Sequence, residues 1–427
     1  MLSFGEDLLQ FIWQYKLLKP LPLISISGKA ITIIKYGELN KDSGPDFFNA
    51  QIKMDGIVLV GNIELHLKTS DWLKHKHQNN TVYDTLILHV VYEHDVEISQ
   101  NADNNVEVVE LKNLIDQKII LNYAQLISSK TDLACFNQIQ FVNSIQFCSW
   151  LQRMAIERLE MKVNRIENLF QQFNGDYSQT FYTLLLSNFG FKVNALPFEL
   201  LSKQLPLTIL LKQADNLMAL EALLLGCSGF LDGQFEDKYI HQLQNEFDYF
   251  KTKYNLIPLN KSVFKFNKMR PANFPTLRLV QFALLIHQQN AFILSPQNYL
   301  TLNDIKSCLN VTPTHYFKNH YQLDGTEIEK DISFGELSKE NIIINSIAPF
   351  FFFYSKKLAI PNYSDLAIEL LNQCSFEKNQ KTKLFLAKKQ QLQNAADSQG
   401  LINLYDNYCT KKQCLKCGIG MDILKSR

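Results

Sequence analysis

Long hydrophobic runs are missing from this sequence, and so is any excess of charge of one sign. The longest apolar stretch, residues 342–354, is interrupted by Asn345, Ser346 and Pro349 and is too short to cross a bilayer. The chain also begins without a basic segment, so neither a signal peptide nor a membrane anchor is predicted, and we expect a cytoplasmic protein. With 43 Lys and Arg against 42 Asp and Glu, the net charge of +1 indicates no particular class of partner.

Glycine is scarce as well, with 16 residues among 427, whereas there are 30 phenylalanines and 17 tyrosines. Together with 46% hydrophobic and 20% charged residues, this composition is typical of a globular protein with large aromatic cores. The length predicts two or three domains. We expect an α+β protein, with a small mixed β-sheet and flanking helices in residues 1–135 and a mostly helical part in residues 136–427.

The N-terminal third shows the period-two pattern of β-strands after one amphipathic helix over residues 3–17. Asp55-Gly56 is a two-residue hairpin signal between two of these strands. Four strands are predicted in this region: Ala30–Lys35, Ala50–Met54, Ile57–Lys68 and Thr85–Tyr92.

One of these strands carries a polar face. In Ile57–Lys68, the side chains of Glu64, His66 and Lys68 share one face because side chains alternate along a strand, and apolar side chains occupy the other face. An exposed surface strand shows the same alternation at little cost. A functional interpretation is favoured by Asp46, which lies in a Gly-Pro turn before the preceding strand, since the predicted hairpin brings Asp46 close to Glu64.

Two carboxylates with a nearby amine match the needs of metal-dependent phosphodiester hydrolysis. Asp46 and Glu64 are predicted to bind Mg²⁺ or Mn²⁺ through their oxygens. Lys68, or His66 in its place, would orient the attacking water and stabilise charge on the phosphate. The predicted catalytic residues are therefore Asp46, Glu64, His66 and Lys68.

Pro45-Asp46 followed by Glu64-x-His66-x-Lys68 resembles the PD-(D/E)xK nuclease superfamily. The resemblance implies a restriction-endonuclease-like core, a small mixed sheet flanked by helices, for the N-terminal part. The usual pattern places lysine two residues after the acid, whereas this chain has His66 there and lysine two residues later. Some members of the superfamily have lost catalysis. The whole chain also resembles an uncharacterised bacterial family of unknown function, through the segments GPDFFNA, GNIELHLKTSDW, MRPANFPTLRL and YCTKKQCLKCGIG.

Histidines follow the polar strand in the sequence. His75 and His77 are predicted to line the mouth of the site, where they would contact phosphate or transfer a proton. A zinc site formed by His75, His77 and His89 is an alternative, although no fourth ligand has a recognisable spacing. His89 lies between Leu88 and Val90 and fits a core position equally well.

From about residue 145 the periodicity is helical, which predicts a mostly α C-terminal part. The first of these helices includes residues 156–173 and ends at Asn174-Gly175. Further helices are predicted over residues 180–189, 195–203, 207–226, 237–254, 276–289 and 364–373, with a final helical run from 381 towards 408.

One stretch of the helical part segregates charge. Residues 249–303 contain seven Lys and Arg and no Asp or Glu, with phenylalanines between them, as in a phosphate-contacting face. A loop with two prolines precedes a helix predicted to begin at Thr276, and a helix N-terminus with basic neighbours binds anions. We therefore predict nucleic acid as the partner, DNA rather than RNA; a solvated basic face is the alternative. The predicted contacts are Lys268, Arg270, Asn273 and Arg278.

Eight cysteines occur without a secretory context, which predicts reduced thiols or metal ligands. Cys409, Cys414 and Cys417 have C-x₄-C-x₂-C spacing with polar and basic residues between them, which is not a packing pattern. Zinc or an iron–sulfur cluster needs four ligands, so the fourth would be Cys135 or Cys374. In some nucleases of the superfamily named above, an iron–sulfur cluster joins a C-terminal cysteine group to an upstream cysteine. Three reduced thiols in a structured loop are the alternative.

These patterns together favour a metal-dependent nuclease or a related DNA-processing hydrolase. The second hypothesis is a catalytically inactive nucleic-acid-binding or scaffold protein that keeps the nuclease-like sheet, and the displaced lysine favours it. A zinc hydrolase that uses the three histidines is the third.

Overall fold

The computed structural model describes residues 4–77, 80–98, 106–323, 325–328, 332–388 and 392–425. The chain divides into two compact units. Unit 1 consists of residues 1–150, 384–389 and 404–427, and unit 2 of residues 151–383 and 390–403. Unit 1 contains the β-sheet and unit 2 is helical, which confirms the predicted α+β class. The division differs from the boundary predicted after residue 135, since residues 136–150 and the C-terminal segment group with unit 1.

The sheet of unit 1 is mixed. Its strands are β1 (Leu23–Ile24), β2 (Ala30–Lys35), β3 (Glu38–Leu39), β4 (Phe47–Met54), β5 (Ile57–Lys68), β6 (Leu86–Glu93) and β7 (Glu107–Glu110). The spatial order is β1-β2-β4-β5-β6-β7, with β3 paired to β4. Pairs from β1 to β5 are antiparallel, whereas β6 is parallel to β5 and β7 is parallel to β6. β5 therefore joins the antiparallel half of the sheet to the parallel half.

The hairpin between β4 and β5 closes where the sequence predicts it. Met54 pairs with Ile57, and the two residues between them have positive φ, +49° at Asp55 and +81° at Gly56. Asp-Gly is suited to this turn because both central residues must be left-handed. The predicted bounds of β2 and β5 are confirmed, whereas β4 begins three residues earlier than predicted, at Phe47. The short strands β1, β3 and β7 were not predicted.

The helices of the chain have the following bounds. They are α1 (Glu6–Gln14), α2 (Asp71–Lys74), α3 (Gln117–Ser128), α4 (Ser144–Gln172), α5 (Tyr177–Phe189), α6 (Phe191–Gln204), α7 (Leu207–Leu211), α8 (Leu217–Cys227), α9 (Lys238–Tyr254), α10 (Pro275–Leu294), α11 (Leu302–Cys308), α12 (Glu336–Ile342), α13 (Ala348–Leu358), α14 (Asn362–Gln373), α15 (Gln380–Leu386), α16 (Ala395–Leu404) and α17 (Gly418–Lys425). Two π-helical turns, Ile343–Ile347 and Tyr405–Cys409, follow α12 and α16.

Helix α1 contacts β5 and covers the sheet of unit 1. Leu8, Leu9 and Ile12 are fully buried, and the indole Nε1 of Trp13 donates a hydrogen bond to the carbonyl of Tyr36 at 3.0 Å. Because apolar side chains at helical spacing bury one face, the helix is held against the strand that carries the polar residues.

Unit 2 has a large aromatic and aliphatic core, as the composition predicts. The predicted stop of its first helix is confirmed, because Asn174 and Gly175 have φ of +54° and +86°. The segment predicted as one helix over 207–226 forms two, α7 and α8, because the side chain of Asn216 accepts a hydrogen bond from the backbone N–H of Ala219 and starts a new helix there. Among the helices in the described residues, none is both long enough and apolar enough to cross a membrane.

Candidate functional site

The polar face predicted on β5 lies in the middle of the sheet of unit 1. Phe47 pairs with Ile63 in the antiparallel register, which places Asp46 beside Glu64, and on the other side Glu64 pairs with His89 of β6. Glu64 and His66 are buried, with 5% and 1% of their surface exposed. Sheet pairing therefore brings groups from three strands to one place.

The two predicted carboxylates are linked by reciprocal backbone hydrogen bonds. The N–H of Asp46 donates to Glu64 Oε2 at 3.0 Å, and the N–H of Leu65 donates to Asp46 Oδ2 at 2.9 Å. Asp46 Oδ1 accepts a third bond, 2.8 Å long, from the amide of Gln10 on α1. These bonds fix both carboxylates and leave Glu64 Oε1 facing the histidines.

Four histidines form a cluster beside Glu64, and two of them approach its Oε1 atom. His66 Nε2 lies 3.6 Å and His77 Nε2 lies 3.5 Å from this oxygen. His66 Nε2 is also 3.1 Å from His75 Nδ1, and His66 Nδ1 is 2.9 Å from His89 Nε2. One ligand nitrogen from each of His66, His75 and His77 lies within 4.8 Å of the others. The zinc site predicted from the sequence used His75, His77 and His89. In the structure the three close histidines are His66, His75 and His77, and His89 contacts this trio through Nδ1 of His66.

Burial of the histidines is graded. His66 is buried, His77 is half-buried and His75 is exposed, so the cluster opens to solvent on the side of His75. His77 Nε2 is buried and makes no hydrogen bond within the described residues. A buried ring nitrogen without a partner is uncommon, and here it faces a carboxylate oxygen and other imidazoles.

Glu6 at the start of α1 also belongs to this site, although the sequence analysis did not single it out. Its carboxylate accepts a hydrogen bond from the backbone N–H of Leu67 and interacts electrostatically with His75, Asp46 and Glu64. Burial raises its pKa above the ordinary value. The signal available in the sequence was an acidic residue in the first turn of a helix predicted to cover the sheet.

Aromatic rings enclose the histidines. The rings of His77 and Tyr83 have centroids 4.1 Å apart, and the indole of Trp72 lies 5.1 Å from His77 and 5.3 Å from His89. Burial, followed by the charges of Glu64 and Asp46, raises the pKa of Tyr83 to about 12. These rings limit access of water on the side away from His75 and strengthen electrostatic interactions there.

The site contains acids and bases but no fixed positive charge. Burial raises the pKa of Glu64 and of Asp46, and each carboxylate is further affected by neighbouring acids. Burial and the adjacent imidazoles lower the pKa of His66 to about 2 and that of His77 to about 4. Within the described residues, neither Asp46 nor Glu64 forms an ion pair with Lys or Arg. All these shifts disfavour the charged forms, because burial penalises charge.

Lys68 lies outside this cluster, although it shares a strand face with Glu64 and His66. Its side chain is 45% exposed, and its ammonium lies 3.9 Å from the carboxylate of Glu93, the residue that pairs with Lys68 on β6. Its backbone N–H donates to Asp71 at the start of α2. Of the two residues predicted to act at this position, the structure brings His66 to the carboxylates.

The residues of the basic stretch that were predicted to contact nucleic acid lie in unit 2, where some are exposed to solvent and others are buried. Lys268 and Arg270 are exposed in the loop before α10, which begins at Pro275, one residue from the predicted start. Arg278 is only 3% exposed, and its guanidinium lies 4.6 and 4.7 Å from the ring centroids of Phe191 and Phe334.

The polar contacts of Arg278 are also internal. It donates to Asn273 Oδ1 at 2.6 Å, to Gln281 Oε1 at 2.9 Å and to Ser338 Oγ at 3.1 Å. Arg278 and Asn273 thus hold the loop against the helix. Lys268 and Arg270 are the two predicted contacts of this set whose side chains face solvent.

The C-terminal cysteines lie in unit 1 and meet Cys135 there. Cys135, Cys409, Cys414 and Cys417 line one small cavity of about 20 Å³. Cys374, the other candidate for the fourth position, is buried in unit 2. None of the eight cysteines forms a disulfide bond.

Comparison with known proteins gives a family and no function. The profile of a family of proteins of unknown function, DUF2851, matches residues 6–380. The chain belongs to this family. No curated protein and no solved structure matches it. In this DUF2851 protein the matched segment includes Glu6, Asp46, Glu64, the histidine cluster and Cys135, and it ends before the C-terminal cysteines.

The site of this DUF2851 protein has the donor set of a metal centre. One nitrogen from each of three imidazoles lies within 4.8 Å of the others, and Glu64 Oε1 lies 3.6 and 3.5 Å from two of these rings. Zn–N bonds of about 2.0–2.1 Å in a tetrahedron place ligand atoms roughly 3.3 Å apart, which is close to these spacings. His66 meets His89 through its second nitrogen, the arrangement that orients a metal-binding imidazole.

Proposed function

We propose that unit 1 is a metal-dependent phosphodiesterase that hydrolyses nucleic acid, DNA in the first instance. The observation that carries the proposal is that one nitrogen of each of His66, His75 and His77 lies within 4.8 Å of the others, with Glu64 Oε1 3.6 Å from His66 Nε2 and 3.5 Å from His77 Nε2. Asp46 and Glu6 lie beside this cluster, and within the described residues neither Asp46 nor Glu64 forms an ion pair with Lys or Arg. An acidic, histidine-rich and enclosed cluster that opens to solvent on one side suits a divalent cation and an anionic substrate.

The donor set bears on which metal is bound. Mg²⁺ prefers oxygen ligands in octahedral geometry, whereas imidazole suits transition metals. With a carboxylate and three imidazoles, the proposed metal is Mn²⁺ or Zn²⁺, and Mg²⁺, which the two carboxylates alone suggested, becomes the weaker activator. The ligands in this proposal are Glu64, His66, His75 and His77, and Asp46 holds Glu64 in place and supplies negative charge.

The strand arrangement supports the nuclease interpretation. Three antiparallel strands, β2, β4 and β5, are followed by a parallel strand, β6, and a helix, α1, precedes them. Acids lie at the start of β4 and within β5, as the resemblance to the PD-(D/E)xK superfamily implies. His66 occupies the position that lysine has in that pattern.

Hydrolysis forms a bond from a water oxygen to phosphorus and breaks one P–O ester bond. A bound metal would lower the pKa of the water and offset the charge of the phosphate. The backbone N–H of Asp46 holds Glu64 in place, while Trp72 and Tyr83 limit access of bulk water. His75 is the exposed member of the cluster, so among the proposed ligands it would lie nearest to the solvent side from which substrate approaches.

Cleavage of labelled single- and double-stranded DNA and RNA, with Mn²⁺, Zn²⁺ or Mg²⁺, tests the proposal. We expect cleavage with Mn²⁺ or Zn²⁺ and a loss of at least about 100-fold in Glu64→Gln, which keeps the shape of the side chain and removes its charge. Glu97→Gln, an exposed acid of the same unit, is the matched control and should cleave like wild type.

The second hypothesis, an inactive nucleic-acid-binding protein, is favoured by one observation, the ion pair that holds Lys68 away from the carboxylates. Binding of DNA without cleavage by any metal would support it and would overturn the phosphodiesterase. Cleavage unchanged in Glu64→Gln would move the activity to another site.

A further inference from the structure

Four thiols meet in unit 1 from two distant parts of the sequence. Cys135 follows α3, and Cys409, Cys414 and Cys417 lie between α16 and α17. The four side chains line one cavity together with apolar neighbours such as Leu126 and Ala134. The other buried cysteines are not grouped in this way. Cys227, Cys308 and Cys374 are each buried, and none of them lines this cavity.

Backbone N–H groups are directed at the sulfur of Cys417, although burial raises the pKa of its thiol to about 11. Its sulfur accepts hydrogen bonds from the backbone N–H groups of Ile419 and Gly420, in the first turn of α17. Such N–H···S bonds, together with the positive end of a helix, stabilise a negatively charged sulfur and are a feature of cysteine-bound clusters. Gly420 is required here because an added Cβ would overlap the carbonyl of Cys414.

The spacing of the sulfurs distinguishes between zinc and a larger centre. Zn–S bonds of about 2.3 Å in a tetrahedron place four sulfurs about 3.8 Å apart. Within the described part of the chain, the histidine trio is the one group of three or more ligand atoms within 4.8 Å of each other, so the four cysteines form no such group. The sulfurs are therefore spaced more widely than the ligands of a single tetrahedral zinc ion, and wider spacing is what the thiolates of an iron–sulfur cluster need, because they bind more than one iron.

We propose that Cys135, Cys409, Cys414 and Cys417 bind an iron–sulfur cluster. The cluster joins the segment after α3 to the segment before α17, the two pieces of unit 1 that lie at opposite ends of the sequence. A cross-link between distant segments restricts the unfolded chain, so the role assigned is structural. This inference concerns a different group of residues from the proposed phosphodiesterase site and stands or falls separately.

The test is the iron and sulfide content of the full-length chain. Protein is purified without oxygen and reconstituted with Fe²⁺ and sulfide, and iron, acid-labile sulfide, zinc and visible absorption are measured. We expect iron and sulfide in equal numbers per chain and broad visible absorption, and these numbers distinguish a two-iron from a four-iron cluster. Cys135→Ala and Cys414→Ala should each lose at least about five-fold in iron, whereas Cys148→Ala, an exposed cysteine outside the cavity, should retain it.

Several results would overturn the proposal. They are one zinc per chain without sulfide, no iron after reconstitution, or full iron content in Cys135→Ala. If the alanine variants do not fold, as judged by circular dichroism, X-ray absorption of iron-loaded wild type decides the question. Iron coordinated by sulfur alone supports the cluster, and nitrogen or oxygen ligands contradict it.

Discussion

His66 is the residue on which the site of unit 1 depends. It is almost fully buried, and both of its ring nitrogens are used, Nδ1 towards His89 and Nε2 towards His75 and Glu64. If Nε2 binds a metal, Nδ1 must carry the proton and donate it to His89, which then accepts through Nε2. The contacts of His66 thus fix which nitrogens of His66 and His89 carry a proton in a metal-bound cluster, and they leave the buried Nδ1–H of His89 without an acceptor among the described residues.

Substitution of His66 should lower the cleavage rate, whereas substitution of Lys68 should leave it nearly unchanged. We expect His66→Ala to lower metal-dependent cleavage by at least about 100-fold because it removes a proposed ligand. Lys68→Ala should stay within about three-fold of wild type, since its ammonium pairs with Glu93 outside the cluster. Steady-state cleavage rates with Mn²⁺ measure both variants, and equal losses would show that the lysine reaches the reacting phosphate.

Glu221 in unit 2 predicts a dependence of stability on pH. Its carboxyl is fully buried, accepts a hydrogen bond from Tyr239 at 2.8 Å, and has its pKa raised by burial from 4.5 to about 7. Because the pKa is raised, the folded state binds the proton more tightly than the unfolded state does. The stabilisation that this proton gives is therefore complete below pH 4.5 and is lost as pH rises through about 7.

Glu221→Gln removes this titration. As pH rises from 4.5 to 8, we expect the free energy of unfolding of the variant to increase by on the order of 3 kcal/mol relative to that of wild type. Urea unfolding followed by circular dichroism at several pH values measures the difference, in which the other titrating groups cancel. Parallel profiles of the two proteins would contradict the assignment.

Most residues of the site could be predicted from the sequence, except those whose position depends on how separate elements pack together. Alternation along β5 and the Asp-Gly hairpin located Asp46, Glu64 and His66, because both signals are local. Glu6 was missed because its place depends on how α1 packs on the sheet. The burial of Arg278 was missed for the same reason, since charge segregation in the sequence does not distinguish an exposed cation from one between two rings.

At the scale of elements, the close approach of β5 and β6 supports the site. Asn62 donates its backbone N–H to the carbonyl of Thr85 at 2.9 Å, and the preceding residue, Gly61, lies against Thr85 and Ile87. A Cβ at Gly61 would overlap the carbonyl of Thr85, so the two strands approach closely only with glycine there.

Gly61→Ala should therefore destabilise unit 1. We expect a loss of about 1–3 kcal/mol from overpacking. Chemical denaturation followed by tryptophan fluorescence measures it, because Trp13, Trp72 and Trp150 all lie in unit 1. Val60→Ala, at a position 65% exposed on the same strand, is the control and should change stability by less than about 0.5 kcal/mol. Equal effects of the two changes would mean that the strands separate easily.

Elements with strong local signals were predicted more closely than those without them. The capped helix α9 and the strand β5 have nearly their predicted bounds. The segment 336–358 was not predicted as helical, because its apolar run includes Pro349 and a π-helical turn. At this turn the carbonyl of Ile344 accepts a hydrogen bond from the buried ammonium of Lys162, a contact from a distant helix that no local pattern shows.

At the scale of the whole molecule, unit 1 is built from both ends of the chain. Residues 404–427 belong to it, and Ile419, Ile423 and Leu424 of α17 are buried. The carbonyl of Ile423 accepts a hydrogen bond from Asn122 of α3 at 3.3 Å. Composition shifts along a sequence cannot reveal a unit whose pieces are separated by another unit, which explains why the predicted boundary differs.

Removal of residues 404–427 should affect unit 1 most. Burial of each large aliphatic side chain is worth about 1.5–3 kcal/mol, so the deletion removes an amount comparable with the whole stability of a domain. We expect the cooperative unfolding transition seen by tryptophan fluorescence to be lost. A chain that ends at Lys425 is the control and should unfold like wild type. A preserved fluorescence transition in the shortened chain would contradict the discontinuous unit.

Titration of metal-free protein with Mn²⁺, followed by electron paramagnetic resonance of the free ion, tests the central claim most directly. Mn²⁺ is chosen because thiolates bind it weakly, so the cysteines do not interfere. The account predicts one site in wild type and in Lys68→Ala, with affinity reduced by about 10–100-fold or more in Glu64→Gln and in His66→Ala. Equal affinity in wild type and Glu64→Gln, or no bound Mn²⁺ at all, would contradict a metal centre at Glu64 and the histidines.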